Sequence, residues 1–139
     1  MQATIKWLDG RQFVGETGSG HAVVMDGPPD HGGRNMGPRP MEMLLLGVGG
    51  CSSFDVVDIL SKGRHEISDC TAELTAERVD AIPSVFSKVH LHFKVTGRNL
   101  SVAAVERAVK LSAEKYCSAS IMLGNAGVVV THDFEVIEG

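Results

Sequence analysis

The sequence predicts one α+β domain over residues 1–139, and not a doubly wound sheet of alternating strands and helices. Length is the first observation, because 139 residues are enough for one domain and too few for two ordinary ones. The second is strand-like alternation of apolar and polar side chains in separate blocks along the chain. The third is a long apolar helical segment that separates the first strands from the others.

The N-terminal residues predict an antiparallel meander of three short strands. Residues 3–8 alternate between apolar and polar side chains, and Asp9-Gly10 is expected to form a turn. Two further strands are expected at 12–17 and 21–26, with a Gly-Ser-Gly turn between them. The Gly- and Pro-rich stretch 27–39 is expected to be a loop, and loops of that length are often functional.

A long helix is expected from Pro40 to about Leu60, because proline suits the first helical turn. Its residues are apolar on nearly every side, which is typical of a helix buried in the core or in an oligomer interface. Gly47, Gly49 and Gly50 each disfavour a helix by about 1 kcal/mol relative to Ala. Their clustering indicates that another segment approaches this helix closely.

The second half of the chain mixes strand and helix patterns. Strands are predicted at 67–79, 86–96 and 128–136, where apolar and polar residues alternate. One helix is predicted from the N-cap Ser101 to about Ser112, and a second, shorter one over 118–123.

Composition excludes several classes of protein. Apolar residues make up 43% of the chain and charged residues 22%, as in folded rather than disordered proteins. A net charge of −4 and a pI near 5.8 leave no basic surplus for binding nucleic acid. No apolar run reaches about 18 residues, so no membrane-spanning helix is expected. Residues 1–10 lack a signal-peptide core, which makes the cytoplasm the expected location.

Cys51 is one of three cysteines, whose odd number and lack of a CxxC motif argue against a disulfide framework or a zinc knuckle. It lies in the middle of the apolar helix, either as a core cysteine or as a reactive thiol with space beside Gly49-Gly50. The helix N-terminus is about 15 Å away, too far to activate the thiol. Asp55 lies four residues on and would disfavour a thiolate, so activation needs a cation from elsewhere.

Cys117 lies between the two predicted helices of the second half, where Ser118 is the expected N-cap. A thiol at a helix N-terminus is stabilised as the thiolate, although a buried interhelical cysteine has the same pattern. Together, Cys51 and Cys117 suggest an attacking and a resolving thiol that join in a disulfide. Cys70, beside Asp69 in a strand, is expected to be structural.

The histidines suggest a metal site as another interpretation. His90 and His92 lie on one face of the strand at 86–96, as metal ligands can, and such a site would also use His132. That face is the polar side of a strand whose other side is apolar, which favours solvent exposure. The glycine clusters follow no strand–GxGxxG–helix pattern, and no GxSxG elbow occurs.

Two segments carry a specific resemblance. They are RPMEMLLLGVGGCSSFDVV at 39–57 and LSAEKYCSASIML at 111–123, supported by LHFKVTG at 91–97 and by the N-terminal meander. The sequence resembles the OsmC/Ohr family of thiol peroxidases, and most closely its YhfA-like branch. The order of elements also agrees, so the resemblance covers essentially the whole chain.

The resemblance implies an OsmC-like fold in which antiparallel sheets surround long central helices in an intertwined homodimer, with active sites at the subunit interface. It implies that Cys51 attacks an organic hydroperoxide and becomes a sulfenic acid. Cys117 would then condense with it, and a dithiol such as dihydrolipoamide would reduce the disulfide. No cofactor or metal is expected.

The peroxidase branches of the family also use an activating arginine and an acid. The arginine comes from the N-terminal strands, and Arg11 is the candidate here, with Arg34 and Arg39 as rivals. The family acid directly follows the proline that starts the helix, whereas here the acid stands one position later, as Glu42. That displacement puts Glu42 about 180° around the helix from Cys51.

The predicted function is therefore a cytoplasmic, homodimeric thiol peroxidase that acts on organic hydroperoxides. Apolar Leu44, Val48, Phe54 and Met122 are expected to favour alkyl hydroperoxides. The alternative is a non-catalytic or redox-sensing binding protein on the same scaffold, which the displaced acid favours. A metal protein built on three histidines is the third interpretation.

Overall fold

The computed structural model describes all residues from Met1 to Gly139, in two compact units, Met1–Leu44 and Leu45–Gly139. The first unit contains a three-stranded sheet and the start of a long helix. The second contains the rest of that helix, two shorter helices and a second three-stranded sheet. The predicted α+β class is confirmed.

The first unit is the predicted antiparallel meander. Its strands are β1 (Ala3–Asp9), β2 (Gln12–Thr17) and β3 (Ala22–Met25), paired in the order β1-β2-β3. Gly10 in the β1–β2 turn has φ +52°, a conformation that glycine adopts more readily than other residues. The predicted Asp-Gly turn is therefore confirmed.

The loop after β3 is organised around a buried carboxylate. Asp26 is only 2% exposed and accepts the backbone N–H groups of Gly27, Arg34 and Met36 at 2.7, 3.2 and 3.2 Å. Desolvation tends to raise the pKa of Asp26, but these hydrogen bonds outweigh it and hold the pKa below its ordinary value. The predicted loop thus has a defined shape, which includes a 3-10 turn at Pro29–His31.

Helix α1 (Pro40–Lys62) begins at the predicted proline. Its buried residues recur every three or four positions and so form one face: Val48, Gly49, Ser52, Val56 and Leu60. Leu46 and Phe54, in contrast, are 63% and 73% exposed. The helix was predicted to be buried on all sides, but within this chain it is buried on one face only. Outside that face, some apolar side chains are half-buried and others, such as Leu46 and Phe54, are exposed.

One of the three α1 glycines makes the predicted close approach. A Cβ on Gly49 would lie 2.9 Å from Leu74 Cδ1, closer than real side chains come. Gly47 and Gly50 have nothing within 4 Å of the position that a Cβ would take. The interpretation of the glycine cluster is confirmed at Gly49 alone.

Helix α1 is long and apolar enough to cross a membrane by length and composition alone. An 18-residue window of this 23-residue helix has a mean hydropathy of 1.6, and 28% of the window is buried. The sequence prediction counted only uninterrupted apolar residues, whereas mean hydropathy tolerates glycine and serine. The core helix of a soluble protein passes the same test, so this property does not establish a membrane span.

The second sheet contains β4 (Glu66–Arg78), β5 (Phe86–Arg98) and β6 (Val129–Glu138), in that order. The alternation predicted for β5 is confirmed, because its inward residues are at most 3% exposed: Val89, Leu91, Phe93 and Val95. β4 and β5 are antiparallel, whereas β6 runs parallel to β5. The sheet is mixed and not antiparallel throughout, because a helical crossover returns the chain to the starting end of β5.

Two helices form that crossover, α2 (Val102–Leu111) and α3 (Ser118–Asn125). Ser101 caps α2 as predicted, since its Oγ accepts the Ala104 N–H at 3.2 Å. A π-helical turn at Ser112–Tyr116 joins α2 to α3. This turn was not expected from the sequence, and it leads directly to Cys117.

Candidate active site

The structure brings Cys51 and Cys117 together within the second unit. Cys51 lies in α1 and is partly exposed, whereas Cys117 is fully buried, with 0% of its surface exposed. The thiols are close enough that each alters the pKa of the other. Two cysteines that are 66 positions apart in the sequence thus occupy one site.

The π-helical turn positions Cys117. Its N–H donates to the Ser112 carbonyl at 2.8 Å, a five-residue span that is wider than an α-helical turn. Its sulfur accepts the Ser120 N–H at 3.4 Å, so Cys117 itself caps α3. Ser118 was predicted as the N-cap of this helix, but the cap is Cys117, one residue earlier. The N–H that is capped belongs to Ser120, and the residue three positions before it is Cys117.

A second donor reaches the same sulfur from α1. Ser52 Oγ donates a hydrogen bond to Cys117 Sγ at 3.0 Å, and both residues are buried. Ser52 directly follows Cys51 in α1. The helix therefore carries the Cys51 thiol and the hydrogen-bond donor to Cys117 at adjacent positions. The Cys117 sulfur therefore accepts two hydrogen bonds inside the protein.

The surroundings of Cys117 are polar for a protein core. Three serines are buried there: Ser52, Ser112 and Ser120. Ser112 Oγ donates to Asp55 Oδ2 at 2.9 Å, and Ser120 Oγ donates to the Cys117 carbonyl at 3.4 Å. A buried polar group without a partner costs about 1–3 kcal/mol, so these hydrogen bonds allow the serines to be buried.

The two thiols differ in acidity. Burial tends to raise the pKa of Cys117, but hydrogen bonds from Ser120 and Ser52 outweigh it and hold that pKa below its ordinary value. Burial raises the pKa of Cys51, and the neighbouring Cys117 and the charge of Asp55 raise it further. Cys117 is thus the more acidic thiol, and the predicted effect of Asp55 on Cys51 is confirmed.

Arg11 and Glu42, the predicted activating residues, belong to the first unit. Arg11 Nη1 donates to the Gly10 carbonyl at 3.0 Å. Glu42 Oε1 accepts the Arg39 N–H at 2.9 Å, which caps the start of α1. With these partners, the two side chains are not paired with each other.

The rival arginines also have partners within the first unit. Arg34 Nη2 forms a salt bridge with Asp9 Oδ2 at 2.7 Å. Arg39 Nη1 donates to Asn35 Oδ1 at 2.7 Å and to the Gly37 carbonyl at 3.2 Å. Both guanidinium groups therefore hold the loop that follows β3.

Cys70 lies in β4, opposite Val95 of β5. Burial raises the pKa of the Cys70 thiol, and the charge of Asp69 raises it further. A protonated thiol within a strand fits the structural role that was expected.

His90 and His92 form a ladder with β6 in which all four ring nitrogens have partners. His90 bonds Thr131 Oγ1 at 2.7 Å and Asp133 Oδ1 at 3.0 Å. His92 bonds Asp133 Oδ1 at 2.6 Å and Glu135 Oε2 at 2.9 Å. These side chains therefore tie β5 to β6 across the parallel pair.

The metal interpretation that combined these histidines with His132 is wrong. Successive residues of a strand face opposite sides, so His132 lies on the other face and lines a small cavity with Leu91 and Phe93. No group of three or more His, Cys, Asp or Glu side chains has the geometry to hold a metal ion.

The residues expected to form an apolar substrate surface do not all lie on a surface. Leu44, Phe54 and Met122 are 51%, 73% and 66% exposed, whereas Val48 is 2% exposed. Val48 therefore belongs to the core, because it lies on the buried face of α1, one turn before Ser52.

The three buried serines are site residues that the sequence analysis missed. A signal exists for Ser52, which stands midway between Val48 and Val56 on the buried stripe of α1. Ser112 likewise continues the buried spacing of α2. A hydroxyl at a buried helical position needs a hydrogen-bond partner, so a serine on an apolar helix face indicates a buried polar contact.

Comparison with known proteins identifies the family. A family model described as OsmC-like protein matches residues 31–133. This chain belongs to the OsmC-like family. The resemblance drawn from the two cysteine segments is confirmed, and the mixed sheet with its long helix is the OsmC-like fold.

Relatives of this OsmC-like protein match it over nearly their whole length. Protein YhfA of Escherichia coli strain K12 is 52% identical over 137 residues, which cover 99% of this chain and 98% of the relative. The crystal structure of a hypothetical protein from Aquifex aeolicus VF5 is 28% identical, with a TM-score of 0.85 and coverage of 99% and 96%.

A more distant neighbour carries a functional description. It is an organic hydroperoxide resistance protein OsmC from Legionella pneumophila, described as a predicted redox protein. It is 17% identical, with a TM-score of 0.69 and coverage of 97% of each chain. At this identity the likeness shows the fold alone.

Proposed function

We propose that this OsmC-like protein is a homodimeric, cytoplasmic thiol peroxidase that reduces organic hydroperoxides. The observation that carries the proposal is the pairing of Cys51 with Cys117 in one site, where Ser52 links the two helices through the Cys117 sulfur. Membership of the OsmC-like family and the organic hydroperoxide resistance proteins among its structural neighbours support a redox role.

The first step uses Cys51 because this residue is partly exposed, whereas Cys117 is fully buried. The Cys51 thiolate attacks the distal hydroperoxide oxygen, the O–O bond breaks, and the alcohol leaves after taking up a proton. Cys51 is then a sulfenic acid. The Cys117 thiolate attacks the Cys51 sulfur, water leaves, and a disulfide forms.

Activation of Cys51 requires a cation, because burial and Asp55 both raise the pKa of its thiol. Arg11 is the proposed cation. Glu42 accepts the Arg39 N–H within one chain, and it is proposed as the acid that holds Arg11 in the assembled dimer. A dithiol such as dihydrolipoamide is the proposed reductant, and it returns both cysteines to thiols while it is oxidised to a disulfide.

Steady-state turnover of cumene hydroperoxide with dihydrolipoamide tests the proposal. Wild-type protein and a Cys70→Ser control should turn over at similar rates, while Cys51→Ser and Cys117→Ser should lose at least about 100-fold because each lacks one thiol of the cycle. Turnover by Cys51→Ser equal to that of wild type would contradict the proposal.

A redox-sensing or binding protein is the second candidate. Two observations favour it: the pKa of Cys51 is raised, and the Glu42 carboxylate caps α1. In that case hydroperoxide would oxidise Cys51 once, and added dihydrolipoamide would give no sustained turnover.

A further inference from the structure

The two sulfurs of the pair stand in unequal surroundings. Cys117 Sγ is buried and accepts hydrogen bonds from Ser52 Oγ at 3.0 Å and from the Ser120 N–H at 3.4 Å. Cys51 is partly exposed and has the Asp55 carboxylate as its charged neighbour. A disulfide between them would join one accessible sulfur to one enclosed, hydrogen-bonded sulfur.

Thiol–disulfide exchange is sensitive to this inequality. The attacking thiolate must reach one sulfur, and the other sulfur must leave with a negative charge. Exchange is faster when the leaving sulfur is the better stabilised thiolate. The more accessible sulfur is the easier one to attack, and the better stabilised sulfur is the easier one to displace. In this site the two effects favour the same reaction, with attack at Cys51 and departure of Cys117.

We propose that the Cys51–Cys117 disulfide is polarised, so that the reductant attacks Cys51 and Cys117 leaves as a thiolate held by Ser52 and the Ser120 N–H. The inference rests on the proposed function, because it concerns the reductive half of that cycle. It assigns to Ser52 the role of stabilising the leaving group.

The steps balance with a dithiol as the only co-reactant. One reductant thiolate forms a bond to Cys51 Sγ while the S–S bond to Cys117 breaks, and the electron pair of that bond goes to Cys117 Sγ. The second reductant thiolate then attacks the reductant sulfur of the mixed disulfide and releases Cys51. The reductant loses two electrons as its own disulfide, and its two protons go to the protein thiolates or to solvent.

The opposite direction is disfavoured twice. A reductant that attacked Cys117 would have to reach a sulfur with no exposed surface. Cys51 would then have to leave as a thiolate beside the Asp55 carboxylate, whose charge disfavours it.

Trapping the mixed disulfide tests the direction on the wild-type protein. The disulfide is made with diamide, so the test does not depend on hydroperoxide turnover. A monothiol, 2-mercaptoethanol, is then added briefly, N-ethylmaleimide blocks free thiols, and peptide masses locate each adduct. The inference predicts mercaptoethanol on Cys51 and maleimide on Cys117, whereas the reverse labelling would overturn it.

Substitution of Ser52 tests the role of the hydroxyl. Ser52→Ala should slow reduction of the diamide-made disulfide by about tenfold, because a hydrogen bond to a charged leaving group is lost. Ser53→Ala, which removes the neighbouring hydroxyl, is the matched control and should reduce at the wild-type rate. In a Cys51→Ser, Cys70→Ser background, the ultraviolet absorbance of the thiolate reports Cys117 alone. Its titration should move to higher pH after Ser52→Ala and stay unchanged after Ser53→Ala.

The outcomes separate this inference from the proposed function. If diamide forms the disulfide and labelling gives mercaptoethanol on Cys51, the polarity stands even when hydroperoxide turnover is absent. If turnover occurs but labelling is reversed or Ser52→Ala reduces at the wild-type rate, the peroxidase stands and the polarity is wrong. Failure of diamide to link Cys51 to Cys117 would overturn both.

Discussion

At the scale of single residues, the acidity of each thiol is set by different neighbours. Cys117 receives hydrogen bonds from Ser52 and Ser120, which favour its thiolate, whereas Cys51 lies near the Asp55 carboxylate. One small site therefore holds one thiol that ionises readily and another that resists ionisation. Cys51 becomes reactive only if the effect of the Asp55 charge on its thiol is offset or removed.

The Asp55→Asn substitution should lower the pKa of Cys51. The charge of Asp55 raises that pKa, so its removal should shift the pH midpoint of Cys51 alkylation by iodoacetamide to lower pH. Measurement in a Cys70→Ser, Cys117→Ser background isolates the Cys51 thiol. Asn retains an oxygen that can accept the Ser112 hydroxyl bond, so the fold should be kept.

Asp58→Asn is the control for this charge effect. Asp58 is also on α1 but forms a salt bridge with Lys62 at 2.7 Å, which compensates its charge. Its substitution should leave the alkylation midpoint of Cys51 in place. Equal shifts in the two variants would show that net charge, and not the position of Asp55, controls the thiol.

The cysteines could be identified from the sequence, while their serine partners could not. Cys51 stands out because glycines precede it in an apolar helix, and Cys117 because it lies between two helical patterns. The role of Ser52 depends on a contact with a residue 65 positions away, which no local pattern reveals. The sequence predicts groups that would activate the Cys51 thiol. The hydrogen bonds that stabilise a thiolate are instead made to Cys117.

At the scale of elements, the histidine ladder couples β5 to β6. Hydrogen bonds to Asp133 and then to Glu135 raise the pKa of His92 above its ordinary value of 6.5. From β4, Glu73 stands opposite His92 and forms a salt bridge with Lys94 at 2.8 Å. The hydrogen bond from His92 in turn lowers the pKa of Asp133, against the effect of desolvation.

Stability should therefore depend on pH through this ladder. Because the pKa of His92 is raised in the fold, its contribution is complete below about pH 6.5 and is lost as pH rises through the folded pKa. Because the pKa of Asp133 is lowered, its contribution is present above its ordinary value of 3.8 and is lost as pH falls through the folded pKa. Urea unfolding of wild type and His92→Gln should differ most between these limits.

His132→Gln is the control, since His132 lies on the opposite face of β6 and takes no part in the ladder. Its urea midpoint should follow wild type at every pH from about 4 to about 9, a range that brackets the ordinary pKa of histidine. A constant difference between His92→Gln and wild type across that range would contradict the account of the ladder.

Helices and strands were predictable where periodicity is local. Alternation located β5, and Pro40 and Ser101 marked the starts of α1 and α2. The π-helical turn at Ser112–Tyr116 was missed because its residues continue a helical pattern, and only the placement of Cys117 requires the wider turn. The direction of β6 was missed because alternation is identical in parallel and antiparallel strands.

At the scale of the whole molecule, large apolar side chains remain exposed in both compact units of a single chain. Trp7 on β1 is 67% exposed, and Phe54 on α1 and Met122 on α3 are 73% and 66% exposed. Large exposed apolar side chains are typical of a surface that binds another protein. The proposed occupant is a second copy of this chain, as the OsmC/Ohr resemblance implies.

Sedimentation of the purified protein should therefore show a dimer. Phe54→Glu should shift the protein toward monomer, because a charge placed in an apolar interface is unfavourable. Ile82→Glu is the control: Ile82 is fully exposed in the connection between β4 and β5, and this variant should remain dimeric. A monomeric wild-type protein would contradict the proposed assembly.

The sequence predicts a single domain over residues 1–139, whereas the structure divides into two compact units. The single domain stays a prediction. The family model spans residues 31–133 and so crosses the boundary at Leu44. If the units fold as one domain, fluorescence of Trp7 in the first unit and far-ultraviolet circular dichroism should give the same unfolding midpoint.

The mass of the protein after reaction with cumene hydroperoxide shows most directly whether Cys51 and Cys117 act as a pair. If they do, the protein should lose two hydrogens, yield a peptide that links Cys51 to Cys117, and keep Cys70 unmodified. A chain that instead gains oxygen at Cys51 while Cys117 remains free to react with N-ethylmaleimide would show that the two thiols do not act as a pair.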